Sequence, residues 1–424
     1  MKIKLSILIL PIVMFLMAVC PQVWGQSADS NGPVSLQDYL NLAAVNNAEL
    51  KAEFERHKAA MEAIPQAKSL EDPRVTYGYA TEPTPQRSEF EVMQMFPWFG
   101  TIDARTDAAS AMAKSVGRQY EAKKLTLFYD VKQAFYEYSF LAKATEITNE
   151  NLQLMKHFEE VARTKYATST TSHPDIIRAQ VELVTMENDL VSLEKARPAA
   201  IAKLNSLLNR SVESELPWPQ APSYKELMID SKQVGELIAS NNPELQSAAY
   251  DIEAAKSSER LAQKKFYPEF GVGFSVDAGM GDNMHSRTMP QIQFTLPIWR
   301  NNYKAAERQA NAQFMQVTQQ KVQMGNTLAA RGQQILYELQ DSDRKIRLYR
   351  DAIIPRVKEM VIASESAYQS GSIDFLSLID SQRTLLRYQL EYEGAVAENG
   401  KKLAELEMLA GTQLAAIDKV KPFE

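Results

Sequence analysis

The chain is written twice, and this duplication constrains its fold more than any other feature. AVNNAEL (44–50) recurs as ASNNPEL (239–245), and AKSLEDPRVTYGYA (67–80) as QKKFYPEFGVGFSV (263–276), with Pro73 and Pro268 at the same offset of 195 as the Asn pairs. QMFPWFG (94–100) recurs as FTLPIWR (294–300) at an offset of 200. KYATSTTSHPDIIRAQ (165–180) recurs as AYQSGSIDFLSLIDSQ (367–382) at an offset of 202. Four matches in one order, with offsets drifting by a few residues, predict two structural repeats. Each reads helix, strand, strand, very long helix, tight turn, long helix.

The boundaries follow from these marks. Residues 1–25 form a signal peptide, with Lys2 and Lys4 ahead of the apolar LSILILPIVMFLMAV and Val23-Trp24-Gly25 at the cleavage site. The first repeat covers 26–209, with strands near 74–82 and 88–97 and a helical hairpin over 100–209. Residues 210–232 connect the halves, opening on the proline-rich RSVESELPWPQAPSYKELM. The second repeat covers 233–410, with strands near 269–278 and 287–297 and a hairpin over 300–410; a tail follows at 411–424. An uncleaved anchor, or a lipidated Cys20, is the alternative at the start.

Strand assignments rest on alternation. Phe270, Val272, Phe274 and Val276 alternate with Gly271, Gly273, Ser275 and Asp277, and Ile292, Phe294 and Leu296 with Gln291, Gln293 and Thr295. Val75, Tyr77 and Tyr79 alternate with Thr76, Gly78 and Ala80; in the remaining strand Phe90, Val92 and Phe96 share a face with Gln94, opposite Met93 and Met95. The polar faces read as poor in large charges. Such strands fit a small soluble sheet or, at roughly 9 to 11 residues each, a tilted bilayer crossing.

Helix assignments rest on seams. No proline occurs from Thr101 to Tyr166, where Phe128, Val131, Phe135, Tyr138, Ala142 and Thr145 recur at spacings of three and four. Leu378, Gln382, Leu385, Gln389, Tyr392, Val396, Asn399, Leu403, Leu406 and Ala410 hold a heptad with three polar members. A helix of about 65 residues would be roughly 100 Å long. Pro355 predicts a kink in the third long helix, and Pro198 and Gly400, again 202 apart, predict breaks in the return helices at mid-length.

Composition limits the function classes. Losing Lys2 and Lys4 takes the formal charge from −6 to −8 and leaves a cysteine-free chain, so no disulfide is expected and nucleic acid is a poor partner. His57, His157, His173 and His285 have no neighbour at metal-ligand spacing, and no phosphate loop or nucleophile elbow occurs. No catalytic residues, metal or cofactor are expected.

Four strands cannot close a barrel, and lipid does not tolerate an open edge. Closure must come between subunits: two chains give eight strands, a filled barrel, and three give twelve, enough for a lumen, although strand counting leaves a tetramer open. Pro97-Trp98 and Pro297-Trp299 would mark the membrane boundary, the prolines ending the ladder and starting a helix, the tryptophans joining an aromatic girdle.

Over essentially the whole mature sequence the chain resembles the TolC-type family of outer membrane efflux and secretion channels. NNAEL and NNPEL, the doubled strand pair and the Tyr-then-Gly turn of YQSGSIDFLSLIDSQ carry the likeness, and PWFG resembles the heavy-metal cation efflux branch. The resemblance implies a mainly α homotrimer, with a 12-stranded outer membrane β-barrel built from four strands per chain. That barrel would run into a long periplasmic α-helical barrel whose tip meets a periplasmic adaptor, fed by an inner membrane pump of the resistance-nodulation-division or ABC type.

It also implies a gate at the periplasmic tip. The first-half gate aspartate falls on Asp175, one ring aspartate on Asp380 and the gate tyrosine on Tyr368, while the other ring position holds Ser377 and a basic position holds Ile373. Asp374 would take up part of the closing network. Three Asp380 carboxylates in a narrow passage would favour cations; Pro355 itself predicts that the hairpin 346–390 moves on opening or, alternatively, a static bend that helps the tube taper. A protein-secretion channel of the same fold, or a poreless periplasmic adaptor, are the competing functions.

Overall fold

The computed structural model describes residues 33–81, 86–168, 173–222, 224, 226–227, 229–279 and 286–414. The expected signal segment with Cys20, His285, and the tail from residue 415 lie outside the described residues.

Each half opens on a short helix and a longer one, α1 (Leu36–Asn46) and α2 (Ala48–Lys68), then α5 (Ser231–Asn241) and α6 (Pro243–Lys264). Their starts are specified locally: Ser35 with Asp38, and Asp230 with Gln233, form capping boxes that satisfy the first backbone donors. The repeated asparagines explain the NN signature. Oδ1 of Asn47 accepts from the Leu50 amide at 2.9 Å and that of Asn242 from Leu245 at 3.0 Å, capping α2 and α6. Their Nδ2 groups donate to the carbonyls of Leu207 and Leu409, both at 3.0 Å, in the last turns of the return helices. One side chain thus starts one helix and anchors the end of another.

The strands β1 (Arg74–Tyr79), β2 (Gln86–Phe96), β3 (Glu269–Gly279) and β4 (Arg287–Thr295) form one antiparallel sheet in sequence order, so the two halves join at β2 and β3. Register puts Tyr77, Phe90 and Val276 in one row, Val75, Val92 and Phe274 in the next, and Phe96, Phe270 and Phe294 in another. This face is strongly exposed in the single chain, with Ile292 at 71% and Tyr77 at 66%. On the other face Met93 and Met95 lie over Gly271 and Gly273, whose missing side chains leave room for the thioethers. That face is not poor in charge, contrary to the sequence expectation. Its rows include Glu89 opposite Asp277, Asp277 opposite Arg287, and Arg74 opposite Met93. Alternation identifies a polar face without saying what fills it.

The helical hairpins are α3 (Thr101–Ala167) with α4 (His173–Leu207), then α7 (Arg300–Arg347), a π turn (Leu348–Ile353) and α8 (Ile354–Gln369) returning as α9 (Phe375–Ala410). At 67 residues α3 extends roughly 100 Å. It packs on α2, α4, α6 and α9, so the second hairpin lies against the first along its length. Two cores sit where the connector passes. One gathers Tyr39, Phe135, Tyr138, Leu204 and Leu216, and its counterpart in the second half gathers Ile238, Ile335, Leu339 and Leu406. A third, nearer the turns, joins both hairpins through Met155, Phe158, Ala179, Val357, Tyr368 and Leu378. Among the described residues no helix is long and apolar enough to cross a membrane.

The polar members of the α9 heptad each find a partner. Gln382 donates to Asn151 Oδ1 at 3.2 Å, Asn151 donates to Gln389 Oε1 at 2.9 Å, and Asn399 donates to Ser342 Oγ at 2.9 Å and Asp343 at 2.7 Å. Buried polar groups paired across a seam fix its register.

Two expectations need correction. The return helices do not break: α4 runs through Pro198, which is exposed so that the carbonyl it frees can reach water, and α9 runs through Gly400. Gly400 serves contact instead, since a methyl group there would overlap the Tyr136 ring. Pro97 and Pro297 do not start helices either. They follow the strand ends, while α3 begins at Thr101 after Gly100 and α7 at Arg300 after Trp299. At Pro355 the irregularity takes the form of a π turn just before it, where the Ile354 amide reaches back to the Tyr349 carbonyl.

Candidate functional site

At the tip, the ends of α3 and α8 lie side by side. Lys165 of α3 donates to the carbonyls of Tyr368 and, at 3.1 Å, Gln369, and its ammonium stands 4.7 Å over the Tyr368 ring. Tyr368 is buried, packed 5.2 Å from Phe375. Its ring therefore belongs to the core that joins the hairpins. Beyond it Gly371 takes φ +79°, the left-handed conformation this turn requires and other residues rarely adopt.

Asp374 caps α9. Its carboxylate accepts the Ser377 amide at 3.0 Å and the Ser377 hydroxyl at 2.6 Å, which hold its pKa below the ordinary aspartate value, with help from the charge of Arg178. Two expected gate residues are thus brought together, as a helix cap. Because the folded pKa is depressed, the stabilisation is present above the unfolded value and is lost as pH falls through the folded one. Amide exchange at Ser377 should stay slow from neutrality down to the ordinary aspartate range and accelerate only below it. Acceleration already at pH 6 would contradict the cap.

Asp175 accepts from Arg178 Nη1 at 3.3 Å on its own helix. Arg178 thus faces acids of both hairpins. Asp380 is exposed on α9, one turn before Arg383. Arg383 grips both oxygens of Glu182 on α4, one of them at 2.9 Å, and Glu182 is only 7% exposed. Its positive charge is therefore neutralised by Glu182, which leaves the charge of Asp380 facing solvent. Arg178, Glu182, Arg383 and Lys165 escaped the sequence reading. The available signal was the repeat itself, because Glu182 and Arg383 lie within one residue of matched positions at the offset of 202.

At the other end of the helices the two tryptophans differ. Trp98 stacks on Tyr267 at 5.2 Å and 8°, and Phe99 meets it edge-on at 5.7 Å. Trp299 is 74% exposed and Phe99 73%. Aromatic rings at the strand-to-helix junction suit the interface between hydrocarbon and water. Among the described residues no three of His, Cys, Asp and Glu come together as a metal would need.

Comparison with known proteins places this geometry in context. A family model described as outer membrane efflux protein matches residues 39–210 and 234–412, the two repeats. The cobalt-zinc-cadmium resistance protein CzcC of Cupriavidus metallidurans is 21% identical over 391 residues, covering 90% of this chain and 91% of that protein. Toxin and drug export protein A of Aggregatibacter actinomycetemcomitans is 24% identical over 193 residues, 45% of this chain. The chain spans about two-fifths of the length of the curated relatives matched at 24% identity, 38% of one and 42% of the other. Among solved structures, CusC superimposes with a TM-score of 0.77 at 14% identity, over 92% of this chain and 96% of that one.

Proposed function

The chain belongs to the outer membrane efflux protein family, and from that premise we propose that it is the exit duct of a tripartite efflux system, seated in the outer membrane with a large periplasmic helical part. One observation carries the reading. The sheet ends on β1 and β4, which among the described residues pair with no further strand, and its apolar face is exposed. Both deficits vanish if copies join β4 to β1 in a ring with the apolar face towards lipid and the charged face towards a lumen. Three chains give the twelve strands that leave a passage.

The duct itself performs no chemistry. Cargo delivered from an inner membrane pump, of the resistance-nodulation-division or ABC type, through a periplasmic adaptor at the tip would pass down its gradient. Full-length likeness to a cobalt-zinc-cadmium resistance protein favours metal cations or other small molecules as cargo. The toxin exporter supports secretion over less than half of either chain.

The gate is assigned to Asp175, Asp374, Ser377 and Asp380, with Tyr368 bracing it from behind. Per chain, Asp380, Arg383 and Glu182 sum to one negative charge, repeated around the axis. In planar bilayers the wild type should conduct with cation preference, and Asp380→Asn should move that preference towards unity without changing assembly. The mature chain should need detergent for extraction and run as a heat-modifiable oligomer. A monodisperse monomer in plain buffer would overturn the reading.

A further inference from the structure

The connector makes two attachments of different chemistry. On the first hairpin Trp218 stacks on Tyr138 at 5.1 Å, and the Arg197 guanidinium lies 4.1 Å over the same indole. The Leu216 carbonyl accepts from the Tyr138 hydroxyl and from Arg197, both at 3.1 Å. Aromatic area and a buried carbonyl with two donors make this end a fixed anchor.

On the second hairpin Leu227 and Ile229 of the connector pack on the core of Ile335, Leu339 and Leu406, and just ahead of them the attachment is polar. Tyr224 donates to Asp343 Oδ1 at 2.9 Å, sharing that oxygen with Asn399 at 2.7 Å, and Arg347 donates to Glu226 at 2.7 Å. Asp343 is 5% exposed and has no ion-pair partner among the described residues. Burial pushes its carboxyl pKa up, and the hydrogen bonds from Tyr224 and Asn399 pull the other way. Burial likewise raises the Tyr224 phenol, to about 12, with the hydrogen bond to Asp343 adding to it. Among the described residues these two are its side-chain donors, with the charge of Arg347 adding a smaller share, so removing one of them matters.

The position of this attachment gives it meaning. Arg347 is the last residue of α7, and the next residue opens the π turn. That turn contributes no fully buried side chain; half-buried Ile353 on the tip core and Tyr349 at 5.9 Å from Tyr388 are what hold its register. Pro355 follows, then Val357, Val361 and Tyr368, which carry α8 into the tip core. A π turn contains one residue more than an α-helical path between the same ends. Its relaxation would rotate α8 by about 100° and shift it by about 1.5 Å. The first hairpin has no such turn: α3 is uninterrupted over the matching length.

We propose that the connector is a strap between the hairpins, anchored on the first by Trp218 and latched on the second by Tyr224 and Glu226. Unlatching frees the π turn and lets α8 shift at the tip. The consequence for transport rests on the duct reading above; the latch itself does not. The strap assigns the moving part to one hairpin and makes the other its fixed frame.

The test uses the full mature chain in detergent and in planar bilayers. Tyr224→Phe with Glu226→Gln should raise amide exchange over 348–362 about tenfold, the factor expected for loss of a hydrogen bond to a charged group. Exchange over 128–138 should stay unchanged, and open probability should rise. Trp218→Ala should loosen 128–138 and leave 348–362 protected. If the double variant fails to assemble, Tyr224→Phe alone, which removes one oxygen, should give the same contrast at smaller amplitude. Unchanged exchange over 348–362 in Tyr224→Phe, an equal rise in both hairpins, or faster exchange without a change in open probability would overturn the proposal. A wild type that does not conduct would sink the duct reading, while the exchange contrast would still decide the latch.

Discussion

Asn242→Ala should destabilise the second repeat by about 2 to 4 kcal/mol, combining a lost helix cap with a stranded carbonyl. Asn242 is 3% exposed, and both ends of its amide are used inside the protein, on the Leu245 amide and the Leu409 carbonyl. Alanine removes the acceptor that caps α6 and leaves the α9 carbonyl without its side-chain donor in a place water does not reach. The urea midpoint of the detergent-solubilised protein measures the total, and amide exchange at Leu245 reports the cap. Asn242→Asp separates the two roles: it keeps an acceptor for Leu245 but sets a carboxylate against the Leu409 carbonyl, so Leu245 stays protected while stability still falls. Asn47→Ala should cost less, because Asn47 is 8% exposed and its bond to Leu207 is only partly buried. An alanine variant within 0.5 kcal/mol of wild type, inside ordinary surface scatter, would refute the double role.

The same asparagines show why the duplication could be read from the sequence. A junction that both caps a helix and ties down a distant return helix tolerates few residue types, so both copies kept it. The strands were legible because one face must be apolar at every second position, and the α9 seam because its spacing is set by α3. What escaped was decided by competition between neighbours. Pro198 looks like a helix end, but its exposed position lets water take the carbonyl it frees. Gly400 also looks like an end, and its absent side chain is there for Tyr136. Pro355 marks an irregularity in the sequence, but not that it takes the form of a π turn in the residues before it. At the tip, Asp374 could be read as a cap from the serine three residues on. The place of Tyr368 could not, because a position matched by resemblance does not say which neighbour covers the ring.

The second large effect is expected at Lys132. Its ammonium meets Glu407 at 2.5 Å, with the two side chains 14% and 11% exposed, and Glu407 also accepts the Leu414 amide at 3.0 Å. Lys132→Met leaves a largely buried carboxylate without its cation, which should cost about 3 kcal/mol. Adding Glu407→Gln to that variant should restore most of the loss, since a neutral amide can still accept from Leu414. A double variant no better than Lys132→Met would mean that packing, not charge, is what the lysine supplies. The pair sits beside a cavity of about 640 Å³ that Arg118, Lys124 and Tyr129 also line, so Glu407→Gln alone should be milder: the stranded lysine can turn its ammonium into that space. These variants also separate stability from movement. Lys132 and Glu407 bind α3 to α9 near the connector, away from the π turn, so Lys132→Met should lower the urea midpoint while open probability stays near wild type. Tyr224→Phe should raise open probability with a smaller fall in the urea midpoint than Lys132→Met gives. If both variants changed stability and opening in parallel, the molecule would be loosening as a whole, and the fixed first hairpin could not serve as the frame against which the second one moves.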